Sequence, residues 1–187
     1  MQTSRRTWLA QAGTLAGAAM LGGVGQALAQ PSYPSKPIRL VVPYPAGGGT
    51  DTVGRMIGQR LAEAWGQPVV VDNKPGASGM LGNDTVAKAA PDGYTVLLAI
   101  TALIQSPSLY KRMPYDVNKD FTPVSLIAKS SDLFVVPNRV PASTLREFVA
   151  LAKAGKLSYG SYGNGTSSHL HGELLRQQTG VELTHIP

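Results

Sequence analysis

No cysteine occurs anywhere in the 187 residues. That absence excludes disulfides, thiolate metal sites and cysteine nucleophiles, and it leaves no N-terminal cysteine to carry a lipid, so no lipid anchor is expected. Aromatic residues are scarce, at 6%, and charged residues make up 15% against 43% hydrophobic, a balance that suits a globular chain with a core and not a disordered one. Basic residues outnumber acidic ones, 17 to 11, but no dense basic run occurs, so nucleic acid is not an expected partner. A modest positive excess of this kind favours small anions through the overall field.

The first thirty residues read as an export signal, 1–30. Arg5 and Arg6 supply its charge, Leu9 to Leu28 a mildly apolar stretch, and Ala27 to Ala29 a small-residue cleavage site. The adjacent arginines resemble a twin-arginine signal. Glycines and alanines near its centre make a poor permanent membrane anchor. Loss of Arg5 and Arg6 with the signal lowers the formal charge from +6 to +4. A periplasmic location follows from this reading.

Beyond the signal the chain alternates between apolar runs and amphipathic runs. "IRLVVPY" (Ile38 to Tyr44), "QPVVVDN", "YTVLLAI", "KLSYGSYG" and "VELTHIP" read as strands. After the first strand, Val53, Met56, Ile57, Leu61 and Ala64 share one face of a helix for which Thr50 or Asp51 is the candidate N-cap. A second helix follows "KPGASG" and ends at Pro91, Asp92 and Gly93. Residues 101–120 suggest a short helix and loop. "FTPVSLIA" and "LFVVPN" look extended and would carry the chain from one lobe to another. "TLRE" (Thr144 to Glu147) has the spacing of a capping box, with Leu145, Phe148, Val149 and Ala152 on the following helical face, and Gly180 closes a last helix. Apolar strands separated by amphipathic helices describe an α/β layered fold with a mainly parallel sheet. Ligands gather in such folds at the carboxyl ends of strands.

The glycine loops lie at those ends. "PYPAGGGTD" joins the first strand to the first helix, and "YGSYGNGTSSHL" (Tyr159 to Leu170) repeats its logic with Gly163 and Gly165 ahead of Thr166, Ser167 and Ser168. Glycine lets backbone N–H groups converge without a side chain in the way, and a helix start adds unpaired donors. A helix N-terminus favours an anion by roughly 0.3–1 kcal/mol, and each charge-assisted hydrogen bond contributes about 1.5–3 kcal/mol. Taken singly, either loop is equally well read as a tight turn; the matched pair favours an anion site across a cleft.

Other chemistries fit less well. "AGGGTD" lacks the lysine and spacing of a nucleotide-binding phosphate loop, and it is not G-x-G-x-x-G. Ser78 in "NKPGASGMLG" is not on a nucleophile elbow, and its alternative reading is a turn lining the same cleft. His169 and His171, two apart on a helix, point about 200° from each other and cannot share one ion. His171 falls beside Leu174 and Leu175 as a packing residue, whereas His169, in the first turn, would face the cleft. Asp72, Asp84 and Asp92 offer no acid and base pair, and Asp72 and Asp92 read as turn formers.

Taken together, "YPSKPIRLVVPYPAGGGTD", "NKPGASG", "APDGYTVLLA", "YDVNKDFTPVSLIA", "LSYGSYGNGTSSHLHGELL" and "GVELTHIP" resemble, in order and spacing, the tripartite tricarboxylate transporter receptors, also called Bug extracytoplasmic solute-binding proteins. The resemblance covers Tyr33 to Pro187. It implies a periplasmic-binding-protein-like, two-lobed α/β architecture of type II, closing on a small organic anion, a carboxylate or an amino acid, and delivering it to membrane transporter subunits. No cofactor, metal or catalytic residue is implied. The first carboxylate loop corresponds to Pro45, Ala46, Gly47, Gly48, Gly49, Thr50 and Asp51. The second gives Ser161, Gly163, Asn164, Gly165, Thr166, Ser167 and His169. Ser78 falls where the family has a small residue near the ligand. His171 stands where a small apolar residue is commoner.

The domain plan expected is a first lobe over 31–130 and the beginning of a second over 131–187, because the family pattern continues past "HIP" with the rest of that lobe. The second lobe is therefore expected to be incomplete, with apolar faces and a strand edge left open. The function expected is that of a binding receptor, not an enzyme. A sensor that docks to a membrane partner, and an enzyme acting on a small anionic substrate, are the rivals.

Overall fold

A computed structural model describes residues 32–187. The expected export signal, with Arg5 and Arg6, lies outside the described residues. The regular elements among the described residues all lie within Lys36–Pro187, a compact unit.

The first sheet has three parallel strands in the order β2-β1-β3: β1 (Ile38–Val42) lies between β2 (Val69–Asn73) and β3 (Thr95–Leu97). Leu40 pairs with Val71 on one side and with Val96 on the other. Ile38, Leu40, Val41 and Val42 are all buried, as a near-continuous apolar run requires in a central strand covered on both faces. Asp72 lies within β2, where its carboxylate takes the Arg39 guanidinium (Nε to Oδ2, 2.7 Å), and so it is a strand residue and not a turn former. Asp92 does form a turn, accepting the Tyr94 N–H at 3.0 Å and pairing with Lys36.

Helix α1 (Gly49–Trp65) packs on this sheet along a line that hydropathy does not reveal. Val53, Ile57 and Leu61 are half-buried, but Met56 is 64% exposed and Ala64 is exposed; the buried line runs through Asp51, Gly54 and Gly58. A Cβ at Gly54 would lie 3.1 Å from Leu98 and 3.2 Å from Val42, so the glycine admits the sheet to the helix backbone. The helix is capped by Gly48, not by Thr50 or Asp51, and Gly66 (φ 65°) closes it. Helix α2 (Met80–Ala87) follows a 3-10 turn at Ala77–Gly79 and stops ahead of the expected breakers. Its Asn83 is buried and donates to the Tyr115 hydroxyl at 2.9 Å. Helix α3 (Ala102–Leu109) carries Pro107 within its length.

Residues 121–136, expected to be extended, form no ladder with another strand, and Val124, Leu133 and Val135 are almost fully exposed. Beyond them α4 (Leu145–Ala154) begins on a complete capping box: the Glu147 N–H donates to Thr144 Oγ1 (3.2 Å), and the Thr144 N–H donates to the Glu147 carboxylate (3.2 Å). Phe148 and Ala152 of this helix bury against Val181 and Leu183. The second sheet pairs β4 (Leu157–Gly160) in parallel with β5 (Leu183–Ile186), Tyr159 opposite His185. Between these strands runs α5 (Ser167–Thr179), ended by Gly180 in the left-handed conformation (φ 68°). No helix among the described residues is long and apolar enough to cross a membrane.

Candidate functional site

The loop between β1 and α1 is braced by its own acid. Gly47, at φ 82°, donates its N–H to Asp51 Oδ2 (2.8 Å), and Arg55 Nε reaches the same oxygen at 3.0 Å. The Arg55 hydrogen bond, followed by that from Gly47, holds the Asp51 carboxyl down at about 2. Arg55 continues to Asn73 Oδ1 (3.2 Å), and Asn73 Nδ2 donates to the Tyr44 carbonyl (3.1 Å), tying the helix start to the ends of β1 and β2. Asp51 Oδ1 is buried without a hydrogen-bond partner. With its charge offset by Arg55, Asp51 fixes the shape of the loop.

What remains open is backbone. The first helical bond of α1 is from the Thr52 N–H to the Gly48 carbonyl (2.9 Å), so the N–H groups of Gly49, Thr50 and Asp51 precede it and have no partner within the helix. Gly49 needs neither a positive φ nor close packing, since a Cβ there would meet nothing within 4 Å. Pro45, Ala46 and Gly47 to Gly49 are exposed, and Thr50 is half-buried.

The loop between β2 and α2 passes through consecutive left-handed residues, Gly76 (φ 131°), Ala77 (47°), Ser78 (56°) and Gly79 (94°). Left-handed conformation at a residue other than glycine costs of order 1 kcal/mol or more, and here two such residues are held in sequence. Gly79 lies against Pro43 and the Tyr44 hydroxyl, whose pKa burial pushes up to about 12. Ser78 abuts the second glycine loop: a Cβ at Gly163 would be 3.4 Å from Ser78 Oγ.

In that loop the side chains turn largely inward. Thr166, buried, donates from Oγ1 to the Gly163 carbonyl (2.8 Å). The Gly163 N–H donates to Ser161 Oγ (3.0 Å), which lies 2.7 Å from His185 Nε2. His169 does not present its ring as an open donor; Nδ1 accepts the Gly165 N–H at 2.9 Å. His171 is exposed and pairs with Asp132 at 3.0 Å, which replaces the packing role expected for it beside Leu174 and Leu175. Asn164 and Tyr162 are exposed.

Ser167 reaches away from its own loop. Its Oγ lies 2.8 Å from Thr101 Oγ1 and accepts from Gln105 Nε2 at 3.3 Å, while Leu109 packs against Gly165. Thr101, Gln105 and Leu109 were missed by motif reading because the junction after β3 has no glycine. The rule that ligands gather at strand carboxyl ends, applied to all three strands of the sheet, points to them. Two surface depressions, one lined by Lys153 to Lys156 with Gly180 and Glu182, the other by Pro37 to Arg39 with Val70 to Asp72, do not touch the glycine loops.

Two parallel sheets with glycine loops at their strand ends place the chain among α/β folds that gather ligands at those ends. The sequence profile of the tripartite tricarboxylate transporter family receptor matches residues 53–187, and the chain belongs to that family. A Pseudomonas sp. protein described as the UPF0065 protein in the tcbD-tcbE intergenic region is 44% identical over 161 residues, 83% of this chain and 47% of that protein. Among solved structures, R. palustris Rpa4515 with adipate superposes with a TM-score of 0.79 at 37% identity, over 83% of this chain and 53% of the other. A periplasmic transporter gives 0.73 at 39% identity over the same shares. MatC (Rpa3494) from Rhodopseudomonas palustris with bound malate gives 0.63 at 30%, over 83% and 54%. The chain thus spans about half the length of the relatives it matches.

Proposed function

We propose that this chain supplies the anion-binding loops of a periplasmic receptor that captures a small organic carboxylate and delivers it to membrane transporter subunits, without chemistry on the ligand. The observation that carries the reading is at Gly49: open space over a helix start whose first-turn N–H groups precede the first helical bond. In this reading Gly47 to Thr50 on one side and Ser78 with Gly163 to Ser167 on the other surround the anion, while Asp51 and His169 hold the loops. Relatives bound to adipate and malate support the ligand class. The two lobes divide near residue 131, within the unpaired segment 121–136. Export by the segment 1–30 completes the assignment.

An enzymatic reading would turn on Ser161 and His185. The Ser161 hydroxyl is instead enclosed by its own loop, within reach of both the N–H and the carbonyl of Gly163 (3.0 and 3.2 Å), where it braces a turn. The test is a thermal-shift screen of the mature chain against adipate, malate, other di- and tricarboxylates and amino acids, followed by calorimetry. A ligand at a hundredfold excess over Kd raises stability by about 2.7 kcal/mol. No shift with any anion, or turnover of one, would overturn the receptor reading. A pull-down against transporter and sensor membrane subunits separates delivery from sensing.

A further inference from the structure

Behind the second glycine loop, side chains from β4, α5 and β5 form a cluster centred on two imidazoles. The rings of His169 and His185 stack with centroids 4.0 Å apart and planes at 15°. The Tyr159 ring lies 5.0 Å from that of His185, and its hydroxyl donates to Glu173 at 2.9 Å. Each imidazole is linked to one of the positive-φ glycines of the loop. His169 Nδ1 accepts the N–H of Gly165 directly, and His185 Nε2 bonds Ser161 Oγ, which accepts the N–H of Gly163. A nitrogen that accepts a hydrogen bond carries no proton, so neutral His169 is held in the tautomer protonated at Nε2, the atom 4.0 Å from Glu173.

We propose that His169 and His185 are positioning residues that set the second glycine loop, and that capture of a carboxylate by this loop requires the His169 ring to be neutral; the ligand half of this claim rests on the receptor reading above. Protonation of His169 would place Nδ1–H against the Gly165 N–H, donor against donor, and remove the acceptor that holds the turn at φ 77°. Gly165 immediately precedes Thr166 and Ser167, so the helix start of α5 and its contact with Thr101 would move with it. The stack also resists a second proton, because two imidazolium rings at this distance repel. Burial, and secondarily the neighbouring His169, depress the pKa of His185, while Glu173 opposes them. Glu173 is itself engaged by the Tyr159 hydroxyl and by Arg176 on the same helix, and the remaining histidine of α5, His171, is paired with Asp132.

The test uses the full chain. Imidazole ring nitrogen shifts and the Gly165 amide resonance are followed by NMR from about pH 8 to about pH 5.5, a range that spans the ordinary histidine titration. The Gly165 amide should move with the same midpoint as His169, and His169 Nδ1 should be unprotonated at the alkaline end. By calorimetry, adipate or malate should bind severalfold more weakly at about pH 6 than at about pH 8. H169N keeps an acceptor near the Nδ1 position but does not titrate, and should lose the pH dependence that remains after the ligand's own protonation, common to both proteins, is subtracted. H169L offers no acceptor and should bind more weakly at both pH values. Tighter binding on acidification would mean that the imidazolium contacts the anion directly and would overturn the proposal. A Gly165 amide indifferent to His169, or an unchanged pH dependence in H169N, would overturn it equally. If neither adipate nor malate binds at any pH, the receptor reading fails, and the coupled NMR titration still decides the positioning claim.

Discussion

Gly49 and Asp51 stand two residues apart in the same turn and do opposite things. Gly49 contributes space: nothing lies within 4 Å of where its Cβ would be, and its φ is ordinary. G49A should therefore leave stability unchanged or raise it by up to about 1 kcal/mol, as substitution of a glycine in compatible conformation does, while weakening carboxylate binding. Melting with and without malate reads both effects, and equal ligand-induced shifts in the two proteins would show that the open space is unused. Asp51 contributes a fixed charge. Its carboxyl titrates at about 2, below the ordinary 3.8, so the folded state binds fewer protons than the unfolded state between these values. The stability it contributes is present above about pH 4 and is lost as pH falls toward about 2. D51N should flatten the acid limb of the stability curve in that window. The openness of the glycine loop was legible in the sequence because consecutive residues without side chains leave the backbone uncovered, whatever their φ. The duty of Asp51 was not, since reach to Arg55 and the Gly47 amide depends on where the helix starts, and the cap is Gly48 and not the hydroxyl or acid that capping preference favours.

Among the elements, α4 and α1 show what a local reading can and cannot find. The capping box of α4 involves four neighbouring residues and needs no partner from elsewhere, so spacing alone identified it. Thr144→Ala should cost about 1 kcal/mol, measurable as a lower urea midpoint with an unchanged slope. The packing of α1 is defined by missing side chains, which an apolar periodicity cannot count: Gly54 and Gly58 face the sheet and Met56 faces solvent. A branched side chain at position 54 would have to displace Leu98 or Val42, against which even a Cβ stands at 3.1–3.2 Å. Gly54→Val should accordingly destabilise by about 1–3 kcal/mol, the usual cost of overpacking, with both glycine loops intact in sequence. Full stability in that variant would mean that the helix can stand off from the sheet. Residues 121–136 illustrate the limit of an extended reading. Their hydropathy suits strands, but a strand exists only when another edge pairs with it, and that pairing is a non-local event.

At the scale of the whole molecule, the parts built on the two sheets touch through small, mostly polar contacts: Ser78 against Gly163, Leu109 against Gly165, and Ser167 with Thr101 and Gln105. A hydrogen bond contributes about 0.5–1.5 kcal/mol net, and less when exposed, so these contacts leave the arrangement open to being shifted by a ligand that bonds both glycine loops. None of them was legible in a motif, because each joins residues more than fifty positions apart, and those of Ser167 run through hydroxyl and amide side chains of types that occur everywhere on surfaces. Ser167 is the common member. Ser167→Ala removes its bonds to Thr101 and Gln105 together while leaving the helix cap at Thr166 in place. A loss of about 1 kcal/mol in a local opening equilibrium corresponds to about fivefold faster amide exchange. The amides of α3 near Thr101 and Gln105 should therefore exchange about fivefold faster in the unliganded variant, with those of β1 unaffected. Saturating carboxylate should narrow that difference, since a ligand held by both loops supplies the link that Ser167 no longer makes. Exchange at α3 indistinguishable from the parent would show that Ser167 does not hold the two parts together, and that their arrangement depends on the contacts of Leu109 with Gly165 and Ser78 with Gly163.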